Sequence, residues 1–241
     1  MLIENDLILK AYDILFDRYG PQGWWPLRSR KEPDLANQEK FGFNKGGYHP
    51  GKDIALSAQE QFEIACGAIL TQNTNWNNAA AAVDSLIKNN LLSAEAILSV
   101  KSEELSDIIK TSGYYNQKAK KLKFLSALLI EKDGCTLSRE ELLSVWGIGR
   151  ETADSILLYS YGKPFFIIDL YTRRFLSRIS ENDNIMTSSY DDLRETIEGA
   201  YNFSVKQMQE YHALIVIHGK NHCAKKAICV DCPFAKECKY N

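Results

Sequence analysis

Apolar residues recur along most of this chain at the spacing of amphipathic helices. In the segment that begins at Ser57 they fall at i, i+3, i+4, i+7 and i+8, which indicates one buried helical face. The members of this face are Phe62, Ala65, Cys66, Ile69 and Leu70. Three segments begin with the residue pair of a capping box, in which a serine and a residue three positions later satisfy each other's backbone amides. The pairs are Ser57 with Glu60, Ser138 with Glu141, and Ser204 with Gln207.

The same periodicity predicts an all-α fold. The predicted helices cover residues 5–17, 57–70, 76–89, 93–99, 102–111, 115–131, 138–145, 150–161, 188–200 and 204–219. The short run FFII at 165–168 is the one candidate strand. Residues 27–56 have no periodicity and several glycines and prolines, so we read them as an irregular insertion.

The composition is that of a globular protein, with 45% hydrophobic and 25% charged residues among 241. No apolar run is long enough to span a membrane, and the N-terminus lacks a signal-peptide core, so we expect a cytoplasmic monomer. The net charge of -2 argues against nonspecific coating of nucleic acid, although it leaves room for a local basic face.

Four of the six cysteines lie near the C-terminus in the spacing C-x5-C-x2-C-x5-C. They are Cys223, Cys229, Cys232 and Cys238. Clustered thiols in a cytosolic chain bind metal more often than they form disulfides. Zinc or an iron–sulfur cluster would suit four thiolates, and the wide outer gaps favour the cluster.

A second motif, SVWGIGRETADSILL at 144–158, reads as a short helix, a G-x-G turn and another helix. Gly147 and Gly149 allow backbone angles that other residues resist, and the amides they leave exposed can bind a phosphate. A plain turn between helices is the alternative.

A third motif, IIDLYTRR at 167–174, puts Asp169 directly after an apolar run. A carboxylate there is costly unless it is hydrogen-bonded, so it either caps a helix or performs chemistry.

In this order, the three motifs resemble the endonuclease III superfamily of DNA glycosylases, the helix-hairpin-helix–Gly/Pro–Asp group. The resemblance covers about residues 58–238. It implies two helical domains with a DNA-binding cleft between them: residues 58–165 with the hairpin, and residues 1–57 plus 166–241 with a 4Fe-4S cluster loop. One departure is the first cysteine gap, which is five residues here and six in the usual pattern.

GWWP at 23–26, LTQNTNW at 70–76 and GYYNQKAKKL at 113–122 look like the 3-methyladenine DNA glycosylase branch. This resemblance implies a base pocket formed by Trp24, Trp25, Pro26, Trp76, Glu151 and Tyr171. It implies DNA contacts from Gln72, Tyr114, Gly147, Gly149, Arg150, Lys225 and Lys226. Electron-poor methylated purines are attracted to aromatic faces, although the two adjacent tryptophans could instead be core residues.

By the same resemblance, Asp169 is the catalytic carboxylate that stabilises the positive charge left on the sugar. Family members that also cut the backbone carry a lysine directly after the hairpin G-x-G-R, where this chain has Glu151. A carboxylate cannot form the required imine. Tyr171 replaces the histidine found in members that act on oxidised pyrimidines, which also fits the alkylpurine branch.

We therefore predict a monofunctional glycosylase of base excision repair that acts on double-stranded DNA containing a damaged base, with no membrane association. When acting it would be associated with the nucleoid. The alternatives are a bifunctional endonuclease III-like enzyme for oxidised pyrimidines, a substrate switch to a mismatched or deaminated base, and a non-catalytic DNA-binding or redox-sensing iron–sulfur protein.

Overall fold

A computed structural model describes residues 3–30, 47–200, 202–236, 238 and 240. The regular structure in these ranges is entirely helical, which confirms the all-α class. The α-helices are α1 (Asn5–Tyr19), α2 (Ala58–Leu70), α3 (Trp76–Lys88), α4 (Ala94–Ser99), α5 (Ser102–Ile108), α6 (Tyr115–Glu131), α7 (Arg139–Ser144), α8 (Arg150–Ser155), α9 (Leu170–Ser180), α10 (Tyr190–Ala200) and α11 (Val205–Asn221). None of the described helices combines the length and the apolar character that crossing a bilayer requires.

All three predicted capping boxes form, and they set the first residues of α2, α7 and α11. The predicted helix at 150–161 is not α-helical throughout. The α-helix α8 ends at Ser155, and a π-helical turn follows at Ile156–Ser160. The FFII run forms no strand: residues 165–168 are irregular. It is followed by Asp169, the N-cap of α9.

The chain divides into two compact units. The C-terminal unit comprises Met1–Trp24, His49–Lys52 and Lys163–Asn241, and the central unit comprises Trp25–Tyr48 and Asp53–Gly162. The division falls between the two adjacent tryptophans, Trp24 and Trp25. The domain bounds expected from the sequence stay a prediction. Residues 31–46 of the predicted insertion lie outside the described residues. The DNA-binding cleft stays a prediction.

The core of the central unit is built around α2. Every residue from Phe62 to Leu70 is buried, and the helix packs against α3, α6, α8 and the π-helical turn. The fully buried Asp154 of α8 forms an ion pair with Arg139 of α7, with 2.7 Å between Oδ1 and Nε. This pair links the two helices that flank the G-x-G turn.

The core of the C-terminal unit is built around α11, which packs against α1 and α9. Tyr211 is fully buried, and its hydroxyl donates to the carbonyl oxygen of Ile8 in α1 at 3.0 Å. Phe175 of α9 packs edge-on against the His218 ring of α11. These contacts hold the N-terminus of α9, where Asp169 lies, beside the middle of α11.

Candidate active site

Asp169 is the N-cap of α9. Its Oδ1 accepts a hydrogen bond from the backbone amide of Thr172 at 2.7 Å, and its side chain is 14% exposed. Burial acts to raise the pKa of this carboxyl, but the neighbouring His212 and the hydrogen bonds from Thr172 outweigh it and lower the pKa. Asp169 is therefore an ionised carboxylate with a fixed orientation.

His212 of α11 lies between Asp169 and Trp24. Its Nε2 is 3.7 Å from Asp169 Oδ2, an ion pair whenever the imidazole is protonated. Its ring meets the Trp24 ring edge-on, with centroids 5.8 Å apart and an interplanar angle of 84°. The sequence interpretation did not assign His212 to the site. Its position on the buried face of α11 was the only available signal.

The segment before Trp24 is anchored by a buried carboxylate. Glu210 accepts hydrogen bonds from the backbone amides of Gln22 at 2.6 Å and Gly23 at 3.0 Å. Burial raises the pKa of Glu210. Because two main-chain donors hold this carboxylate, the path of the chain into Trp24 is tightly defined.

Tyr171 lies in the first turn of α9, two residues after Asp169. Its ring covers Gly219 of α11 so closely that a Cβ at that glycine would overlap it. The guanidinium of Arg174 lies 5.1 Å from the ring centroid. The C-terminal unit thus brings together Asp169, Trp24, Tyr171 and the unpredicted His212.

The other predicted pocket residues with aromatic or proline side chains belong to the central unit. Trp25 is 8% exposed and packs against Trp76 and Tyr159, each with ring centroids 5.4 Å away. Pro26 is also buried. Just beyond it, the carboxylate of Glu63 accepts the backbone amide of Arg28. Trp25 is therefore a core residue that meets Trp76 edge to face, while Trp24 in the other unit is half-buried.

The G-x-G turn joins α7 to α8. Gly147 has φ +83°, and Gly149 is the N-cap of α8 in an extended conformation. Both glycines are exposed. Arg150 and Glu151 follow in the first helical turn and are exposed too. The predicted helix, hairpin and helix are therefore present.

Gln72 is held against this turn by hydrogen bonds. Its Nε2 donates to the carbonyl of Gly147 at 3.2 Å and to Thr152 Oγ1 at 2.8 Å, and its Oε1 accepts from Lys121 Nζ at 2.5 Å. The alkyl stem of Lys121 covers Gly147, where an added Cβ would overlap it. Tyr114, the other residue predicted to enter DNA, is 68% exposed and has a left-handed backbone just before α6.

All four clustered cysteines are described, and none of them forms a disulfide. Cys232 is electrostatically coupled to the other three, and burial raises its pKa. Arg178 donates to Cys223 Sγ at 3.2 Å. Among the described residues, however, no group of three or more cysteine, histidine or acidic side chains could hold a metal ion. The donor set has the chemistry of a thiolate-bound cluster, but its geometry is not that of a single-ion site. Lys225 and Lys226 in this loop are exposed.

Comparison with known proteins identifies the group to which this fold is related. The family model of HhH-GPD superfamily base excision DNA repair proteins matches residues 66–203. A Methanocaldococcus jannaschii protein that is named as a DNA repair glycosylase is 36% identical over 244 residues, covering 97% of this chain and 96% of its own.

Two solved structures share the fold. A non-covalent endonuclease III–DNA complex has a TM-score of 0.72 at 18% identity and covers 98% of this chain and 96% of its own. H. pylori 3-methyladenine DNA glycosylase bound to 1,N6-ethenoadenine has a TM-score of 0.62 at 24% identity and covers 87% of this chain and 97% of its own. At these identities the likeness concerns the fold alone.

Replacing Gly147 with alanine tests how tightly the turn is built. The substitution forces a side chain into positive φ, which costs about 1–2 kcal/mol, and also displaces the Lys121 stem. Gly134→Ala is the matched control, because Gly134 has φ +69° with no atom within 4 Å of an added Cβ. Urea denaturation should show a larger loss of unfolding free energy for Gly147→Ala than for Gly134→Ala. Equal losses would mean that the Lys121 contact is unimportant.

Proposed function

This chain belongs to the HhH-GPD superfamily of base excision DNA repair proteins, and from that premise we propose that it is a monofunctional glycosylase with a preference for alkylated purines. It is a DNA glycosylase of base excision repair. The absence of lyase activity, the preferred lesion and the roles of individual residues are the proposal. The observation that carries it is the carboxylate of Asp169, which accepts a hydrogen bond from a backbone amide and has His212 between it and the half-buried Trp24.

A glycosylase must take its target nucleotide out of the base stack, which costs a few kcal/mol. We propose that Gln72 fills the vacated position and that Tyr114 enters the opposite strand. The exposure of Tyr114 supports its role. The hydrogen bonds that hold Gln72 at the turn support its role too, because a pre-ordered side chain loses less entropy on insertion. The turn at 147–149, with Arg150, would bind the backbone phosphates without reading sequence.

Loss of the base leaves positive charge on the deoxyribose, as in glycoside hydrolysis. Asp169 would stabilise that charge and orient or deprotonate the attacking water. Its lowered pKa supports this role, because the carboxylate is charged without any change in its surroundings. Alkylated bases leave readily, so a strong general acid is not required.

The preference for alkylated purines rests on aromatic side chains. A cationic methylpurine gains about 0.5–2 kcal/mol over an aromatic face. Trp24 and Tyr171 are the candidates in the C-terminal unit because each residue is half-buried rather than buried. In the central unit, Trp76 is half-buried, whereas Trp25 and Pro26 are buried.

The absence of lyase activity rests on the available amines. Glu151 occupies the position at which lyase members carry lysine, and its exposed carboxylate cannot form an imine. Burial lowers the pKa of Lys118 to about 8. Its Nζ nevertheless donates to the carbonyls of Leu70 and Ser112 at 2.9 and 2.7 Å, and the residue is 1% exposed. Lys118 therefore has a structural role.

We propose that the four clustered cysteines hold a 4Fe-4S cluster. Their all-sulfur donor set and mutual electrostatic coupling support this assignment, as does Arg178, whose charge would offset that of the thiolates. A bound cluster would cross-link the C-terminal loop. It would thereby fix the position of Lys225 and Lys226, which lie in that loop and would contact DNA phosphates.

The substrate assignment predicts the outcome of a lesion panel. The protein should release 3-methyladenine and 7-methylguanine from methylated duplex DNA, measured by chromatography of the free bases. It should release little or nothing from duplexes that contain an oxidised pyrimidine, a deaminated base or a mismatch. Release of oxidised pyrimidines alone would overturn the alkylpurine preference and leave the reaction class intact.

If the protein has no lyase activity, the DNA strand that has lost its base should stay intact. After base release, the strand should break only on added alkali or heat, and borohydride should trap no protein–DNA adduct. Glu151→Lys should create a trappable adduct, because it restores the amine at the family's position. Glu140→Lys is the control, since Glu140 is also an exposed glutamate and the change in charge is the same. Nicking by the wild-type protein without alkali would contradict the assignment.

A further inference from the structure

His212 contacts two residues of the proposed site from one position on α11. Its ring edge-packs on Trp24, and its Nε2 faces Oδ2 of Asp169 at 3.7 Å. We propose that His212 is a positioning residue for Asp169: its imidazole faces Oδ2, pairs with the carboxylate when it is protonated, and directs Oδ2 toward the reacting sugar. This inference rests on the proposed function of Asp169 and adds a residue that acts through it.

The two oxygens of Asp169 have different surroundings. Oδ1 is bound to the Thr172 amide at 2.7 Å, which fixes the carboxylate to the first turn of α9. Oδ2 faces His212 at a distance longer than a hydrogen bond. Since Oδ1 is committed to the helix, Oδ2 is the oxygen available to a sugar or a water molecule, and His212 is the side chain that defines its position.

His212 is itself held firmly. It is 5% exposed, and it lies two residues from Glu210, whose carboxylate is bound to the amides before Trp24. A displacement of the imidazole would therefore disturb its contacts with both Trp24 and Asp169. This arrangement makes His212 the direct link between the candidate base-binding aromatic and the candidate catalytic carboxylate.

The charged groups around the pair favour an ionised Asp169. Without a partner, burial would raise the pKa of this carboxyl, and contact with His212 is the largest influence that opposes it. Lys220, further along α11, interacts electrostatically with Asp169 and adds positive charge. Tyr171 of α9 covers Gly219, beside Lys220, and Glu210 is turned toward Gln22 and Gly23. Removing His212 leaves the electrostatic interaction of Lys220 with Asp169 in place.

Two substitutions separate charge from packing. His212→Phe keeps an aromatic ring against Trp24 and removes the charge, whereas His212→Gln keeps a hydrogen-bond donor without charge. Tyr211→Phe is the matched control, because it removes a buried hydrogen bond from the neighbouring position of the same helix. The titration of Asp169 is followed by carbon NMR of aspartate-labelled full-length protein, with Asp169→Asn identifying its signal. The pH dependence of single-turnover base release is measured in parallel.

In both His212 variants the titration midpoint of Asp169 and the acidic limb of the rate profile should move upward by about one pH unit or more. The rate near pH 7 should fall as well, by up to about tenfold, because Oδ2 is no longer held toward the sugar, and Tyr211→Phe should move neither midpoint. Unchanged midpoints, or a rate lowered by the same factor at every pH, would overturn the proposal. The NMR titration needs no turnover, so a protein that releases no base would refute the proposed function while the His212 effect is still measured.

Discussion

The site depends on one hydrogen bond, which the backbone amide of Thr172 donates to the carboxylate of Asp169. A helix N-terminus leaves amides without helical partners, and a carboxylate there satisfies one of them and gains from the helix dipole. The same bond lowers the cost of burying an ionised group. The choice left open by the sequence, between a capping and a chemical role, is thus not exclusive, because the cap is what would hold the carboxylate ready for chemistry.

The segment around the two tryptophans is built on the same physical principle. Glu210 binds the amides before Trp24, and Glu63 binds the amide of Arg28 after Pro26. Each carboxylate is buried and belongs to a different unit of the chain. This stretch forms no helix, so its backbone amides have no helical partners. The two carboxylates accept hydrogen bonds from these amides and thereby hold the stretch in place.

Local rules explain what could be read from the sequence. The three capping boxes and the apolar face of α2 depend on residues within one or two helical turns, and all are present in the structure. The contact of His212 with Asp169 joins residues that are far apart in the chain, so no periodic pattern encodes it. The same holds for the two glutamate anchors. Burial of Trp25 beside a half-buried Trp24 also depends on which unit each residue joins, and neighbouring residues of one type carry no signal for that.

Single-turnover release of 3-methyladenine from methylated duplex DNA, compared between wild type and Asp169→Asn, measures what the charge of Asp169 contributes to base release. Asparagine caps helices about as well as aspartate, so the variant should keep α9, its unfolding free energy and its affinity for DNA while losing the negative charge. We expect the rate of base release to fall by about 100-fold or more. A rate within a few-fold of wild type, with folding and DNA binding intact, would show that the charge of Asp169 does not drive base release.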